Sequence, residues 1–207
     1  MINMKIGKRE HKRVIQKMEI MNGFLDAMEI SDLHLIKIED ICKTIGISKV
    51  TFFNYFQSKE QVIEYFIKLW QYDLSFKLDI EGLVGSKVIY GIFDHVSGHP
   101  AGQQIMNTLM EFFIKVKLYD PVIISDYELY IYNEEAYKKG YRETSLTRLI
   151  QKGLREKKLD ANKETALINI IISGFYGTSF IQNLGLGSDF KSSYHEFLNH
   201  VLNENFR

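Results

Sequence analysis

Residues 38–60 read IEDICKTIGISKVTFFNYFQSKE, and this stretch decides the fold. Ile38, Ile41, Cys42 and Ile45 recur at intervals of three and four, which lines one face of a short helix. Gly46 follows as a residue suited to positive φ, and Ser48 suits the N-cap of a second short helix ending near Tyr55–Phe56. On that helix Phe52 and Phe56 share a face and are expected inside. Lys49, Val50, Thr51, Phe53, Asn54 and Tyr55 are left pointing outward or sideways. Two aromatics and an amide on the solvent side of a short helix are costly unless something covers them. A helical hairpin buried in a core would want fewer polar residues there, so the spacing favours a helix-turn-helix over positions 38–56. Such a helix brings its free N–H groups to a phosphate and its side chains to base edges in the major groove.

Outward from this motif the pattern stays helical. Val14, Met18, Met21, Leu25 and Met28 mark a preceding helix, weakened by Gly23 and expected to stop near Ser31–Asp32 with Asp32 in a left-handed position. Ser58 with Gln61 reads as a capping box opening a longer helix to about Leu78, with Val62, Phe66, Leu69 and Tyr72 inside and Trp70 close by. Further helices are expected at 83–97, 101–117, 121–139, 142–156, 162–184 and 189–204, the third with Pro121 in its first turn. No strand alternation stands out. The expected fold is all-α with nine to ten helices, divided into a DNA-binding domain over 1–59 and a helical effector and dimerisation domain over 60–207.

Composition narrows the function. The chain has 207 residues with 45% hydrophobic and 25% charged content, which is globular rather than disordered. Net charge is zero, but positions 1–59 hold ten Lys or Arg against seven Asp or Glu, a surplus of three cations. Such asymmetry suits either a polyanion-binding front end or a solvated, frayed terminus. One cysteine, Cys42, excludes a disulfide framework and a cysteine-based zinc cluster. The opening residues lack a secretory pattern, so a cytoplasmic, reduced setting is expected. The apolar run Leu167–Ile181 carries Asn169, Ser173, Thr178 and Ser179 and is shorter than the ~18–20 residues of a membrane span. No nucleophile elbow, phosphate loop or supported triad occurs, so no catalytic residue and no cofactor is expected.

The run from Ile38 to Glu60 resembles the DNA-binding domain of the TetR family of bacterial transcriptional regulators. The resemblance rests on the Gly46-Ile47-Ser48 turn with its apolar residue four before, Thr51, the Phe53-Asn54-Tyr55-Phe56 ending, and Ser58-Lys59-Glu60, and it covers about residues 12–65. It implies phosphate or sugar contacts at Ser48, Thr51, Phe53, Tyr55 and Lys59, and base-facing positions at Lys49, Val50 and Asn54. Lys37 stands where a threonine often caps the motif's first helix, which loses the cap and offers a cation. Phe53 replaces a frequent tyrosine, Val50 a frequent glycine or proline, and Asp32 a usual glycine. The resemblance further implies a homodimeric, ligand-responsive repressor on a palindromic double-stranded operator. Activators and co-regulators share the same signature, and a helical sensor or adaptor without specific DNA binding is the reading from another class.

The second half offers candidates for an effector and a dimer seam. Aromatic residues crowd between Trp70 and Tyr141, and an unknown small-molecule effector would draw its pocket from that set. Trp70, Phe93, Phe112, Phe113 and Tyr130, with His95 and His99 as polar groups, are the candidates. The i,i+4 histidines also fit a metal pair, but Gly98 and Pro100 end the helix and no third ligand is fixed. Apolar residues at three and four in the last two helices predict a two-fold four-helix seam through Ile171, Gly174, Phe175, Thr178, Phe197 and Val201.

Overall fold

A computed structural model describes residues 7–115, 122–142, 145–187 and 189–204, for 111–115 and 204 by backbone alone. Among them are eleven α-helices and no strand. In order these are α1 (Lys8–Met28), α2 (Ile38–Thr44), α3 (Lys49–Phe53), α4 (Lys59–Ile80), α5 (Ser86–Ser97) and α6 (Gly102–Lys115). They continue with α7 (Asp126–Tyr132), α8 (Glu134–Lys138), α9 (Leu146–Leu154), α10 (Ala161–Asn183) and α11 (Phe190–Glu204).

α4 is the mast of the molecule. Val62, Ile63, Phe66, Leu69, Tyr72, Leu74, Phe76 and Leu78 are all buried, on every side of the helix, because α4 packs against α1, α5, α6 and α7. Ser58 caps it by accepting the Gln61 N–H at 3.3 Å. The return bond of the expected capping box shifts by one residue: Gln61 Oε1 accepts from the Gln57 N–H at 2.8 Å. α1 packs against α4 and α2, and Ile20 and Phe24 join its expected inner face. Gly23 is more than a weak helix residue. A Cβ there would meet the Cγ2 atoms of Ile41 and Ile45 at 3.2 and 3.3 Å, so its absence lets α2 lie close on α1. α1 ends at Met28, and Asp32 takes an ordinary extended conformation (φ −67°) before the 3₁₀ turn Leu33–Leu35, not the left-handed one.

One expected helix divides. Over 121–139 the chain runs without helix from Val122 to Ser125, forms α7, breaks at Asn133 and resumes as α8. Ser125 and Glu128 form a reciprocal capping box, and Asn133 (φ −149°) accepts the Ala136 N–H at 2.9 Å. These local bonds offer the backbone an alternative to continuous helix. Pro121 lies outside the described residues. α5 begins three residues later than expected, after Gly82 and Gly85 at positive φ.

The seam expected between two copies faces inward instead. On α10, Ile171, Phe175 and Thr178 are buried in their own chain, and Phe175 packs against Phe93 (centroids 5.0 Å apart) and Tyr194. Gly174 lies under Phe197, whose Cζ would sit 2.1 Å from an added Cβ, and Val201 is half-buried against the same core. These residues join α10 to α11. The outward side of α10 carries Ile170, Phe180, Ile181 and Leu184, all exposed. At 23 residues α10 is long and apolar enough to cross a membrane by length and composition, longer than the apolar run alone suggested. It packs against α6, α9 and α11 with its inward side only.

Candidate nucleic-acid interface

The motif closes as its sequence dictates. Ile41 and Cys42 are buried on α2, and burial pushes the Cys42 thiol up from its ordinary value. Gly46 turns the chain at φ 72°, and the Ser48 hydroxyl accepts the Thr51 N–H at 3.0 Å while pairing with the Thr51 hydroxyl at 2.9 Å. Phe52 is fully buried between Phe24 and Phe56. What remains outside is the candidate recognition surface. Val50 is 72% and Phe53 50% exposed, and Lys49 and Asn54 are exposed beside them. Lys49 pairs with Glu39, holding that carboxyl below its usual value; an ion pair this exposed is weak enough for a phosphate to displace. Lys37 is exposed at the N-cap of α2 without a side-chain cap bond.

Two candidate contacts already have partners in the fold. The Tyr55 hydroxyl donates to Gln16 Oε1 at 2.8 Å, which ties the end of the motif to α1. Lys59 donates to the carbonyls of Leu33, His34 and Ile36 at 2.6, 3.0 and 3.1 Å, so its three N–H bonds close the 3₁₀ turn ahead of α2. The structure thus gives Lys59 an anchoring place. Lys59→Ala is expected to destabilise the motif by about 1–3 kcal/mol, read as a lower urea midpoint.

Residues on α1 add to this surface. Arg9, Lys12 and Arg13, with no ion pair among the described residues, line an open groove of about 820 Å³ with Asn54 and Tyr55. They belong to the cationic surplus of positions 1–59, but only the fold sets them next to the end of α3.

α1 is also gripped by α7, more than a hundred residues along the chain. Lys17 and Glu128 of α7 form an ion pair at 2.5 Å, with side chains 12% and 6% exposed. Ser125 donates to Glu128 Oε2 through its N–H at 2.7 Å and its hydroxyl at 2.8 Å. Burial alone would raise the Glu128 carboxyl, but Lys17 and these donors hold it below its ordinary value. The Lys17 ammonium lies 4.2 Å from the centre of the Tyr65 ring, and His11 meets the Tyr127 hydroxyl at 2.7 Å.

The effector candidates scatter. Trp70, His95 and His99 line one open groove of about 800 Å³ between α4 and α5. Phe93 is instead fully buried, 4.7 Å from Tyr194 by ring centroids, because α5 needs an aromatic to fill the space below α10 and α11. Tyr130 lies on α7, donates to Glu134 at 2.7 Å and stacks on Tyr127, away from that groove. The side chains of Phe112 and Phe113 lie outside the described residues. His95 Nε2 sits 2.9 Å from Glu81, while the His99 ring packs on Phe66, so the two histidines turn to different partners. Among the described residues no three His, Cys, Asp or Glu side chains converge as a metal site.

Comparison with known proteins points to the same segment. Residues 32–66 match the family model described as bacterial regulatory proteins, tetR family. A similar protein is the HTH-type dhaKLM operon transcriptional activator DhaS of Lactococcus lactis subsp. lactis (strain IL1403), 35% identical over 54 residues. That alignment covers 26% of this chain and 29% of the relative. No solved structure matches the chain. The family match begins at Asp32 and ends at Phe66, so the whole turn, cap and exposed α3 face lie within the segment that is similar to bacterial regulatory proteins of the tetR family.

Proposed function

We propose that the chain is a cytoplasmic, homodimeric transcriptional regulator, not an enzyme, that binds a palindromic operator through residues 1–59. Residues 60–207 would pair the two copies and bind a small-molecule effector that releases a repressor from DNA. The carrying observation is the face of Val50, Phe53 and Asn54, exposed on a helix too short to need them there, within the segment that matches the family. An exposed valine and phenylalanine gain by covering thymine methyls and sugars, and an asparagine amide can pair with adenine in the major groove. A second reading, transcriptional activation, is favoured by the name of the Lactococcus relative, an activator.

Operator selection from a random duplex pool, followed by gel shift, tests the proposal. Asn54→Ala is expected to cost about 1–3 kcal/mol on the selected site and to relax base preference at one position. Arg13→Ala should instead weaken all sequences alike and reduce the salt slope by about 1. Selection of no preferred sequence by the wild-type chain would refute sequence-specific regulation. A reporter behind the selected site distinguishes repression from activation.

A further inference from the structure

The groove that Trp70, His95 and His99 line has a second, inner space behind it. Between α4, α5, α6 and α10 lies a cavity of about 20 Å³, walled by residues such as Ile67, Val96, Ile105 and Phe175. Its lining holds no Asp, Glu, Lys or Arg. Two polar side chains there have unused hydrogen-bonding capacity. Gln71 is 8% exposed, and its amide has no hydrogen-bond partner among the described residues. An amide offers two donors and an acceptor, which a ligand with a matching polar group can meet. His99 Nδ1 accepts the Ala101 N–H at 3.1 Å, which places the proton of the neutral ring on Nε2 as a donor. Burial lowers the pKa of His99, which favours the neutral ring.

We infer that the effector is a small, uncharged, largely apolar molecule with one carbonyl or carboxamide group, seated in this cavity against Gln71 and His99. The inference rests on the ligand-responsive reading above and adds its chemistry. A charged ligand would shed its hydration with no counter-charge to replace it. A ligand with a single polar end meets the Gln71 amide and the His99 Nε2–H while its body takes the apolar wall. As it stands the space holds about one water. Phe66, Trp70 and His99 border both the cavity and the open groove of about 800 Å³, so a turn of these side chains joins the two and admits the ligand.

Trp70 is the single tryptophan, so its emission reports on the wall that the cavity shares with the groove. The full chain is titrated with benzamide, toluene, benzoate and benzylammonium. Benzamide and toluene are expected to give saturable changes, with benzoate and benzylammonium at least about tenfold weaker. Gln71→Leu should weaken benzamide about tenfold and leave toluene unchanged or tighter. In the wild-type chain the Gln71 side-chain amide resonances should shift with benzamide, a reading independent of how the variant folds. Equal response to the charged probes, no saturable response to any probe, or unmoved Gln71 resonances would overturn the inference. Benzamide seated on Gln71 without a change in operator affinity would sustain the site and remove ligand control from the proposed function. Specific operator binding with no probe entering would do the reverse.

Discussion

Glu128→Ala is expected to cost about 3–5 kcal/mol and to loosen the N-terminal helices from the rest of the molecule. Lys17 and Glu128 are both largely withdrawn from water, and Ser125 spends two donors on the same carboxylate. Removing the acid leaves the Lys17 ammonium over the Tyr65 ring without a counter-charge and leaves the first turn of α7 without its box. The double variant Lys17→Met, Glu128→Leu removes both charges together and should recover much of the loss, since the desolvation cost disappears with the pair. Urea unfolding of the wild type, Lys17→Met, Glu128→Leu and the double variant measures the coupling. Hydrogen exchange over 8–20 and 122–133 should rise in Glu128→Ala alone. Acid should act in the same direction. The folded Glu128 carboxyl titrates below its ordinary value near 4.5, so its contribution is present above about that pH. It is lost as pH falls through the lowered folded value. A single variant as stable as wild type, with an unchanged acid limb, would show that the pair holds nothing. Because α1 also carries Gln16, which holds Tyr55, the same contact sets where the recognition surface stands relative to α4.

The helix-turn-helix was legible because its determinants are local. Gly46 at φ 72°, the Ser48 cap and the Phe52 and Phe56 pair all act within ten residues of one another. The partners of its polar groups were not legible for the opposite reason. Lys59 closes carbonyls more than twenty residues upstream, Tyr55 meets Gln16, and Lys17 meets Glu128 across 111 positions. No spacing rule encodes such pairs. The break at Asn133 was hidden because Leu129 and Ala136 stay buried at a seven-residue interval through it, so the periodicity continues where the helix does not. Among the effector candidates, Phe93 and Trp70 look alike in sequence. Core filling and pocket lining draw on the same residues, and only packing separates the buried ring from the one at a cavity wall.

The orientation of α10 had a further obstacle, and it bears on the largest expected effect at the dimer. Ile168, Ile170, Ile171 and Ile172 point in successive directions, so apolar residues occupy nearly the whole circumference and any face can be read as the seam. Packing settles which side is already used: Ile171 and Phe175 face the core, while Ile170, Phe180, Ile181 and Leu184 remain 44%, 50%, 42% and 55% exposed. Gly177 lies on this side with nothing within 4 Å of an added Cβ, which lets a second backbone come close. In the proposed dimer, a two-fold axis through this face would let one patch serve both copies. It would present two recognition helices to half-sites about 34–36 Å apart. Phe180→Glu is therefore expected to leave the helical content intact while removing an anchor from each copy. At about 2 kcal/mol per copy the dimer weakens roughly a thousandfold, and sedimentation should show monomers at micromolar concentration. Operator affinity should fall with it, since a lone motif reaches one half-site. Phe175→Glu should act differently, burying a charge between Phe93 and Tyr194 and unfolding the C-terminal helices, with a loss above about 4 kcal/mol. If Phe180→Glu remains a dimer of wild-type affinity, this face of α10 is not the seam. If Phe175→Glu gives folded monomers, the inward assignment of α10 is wrong as well.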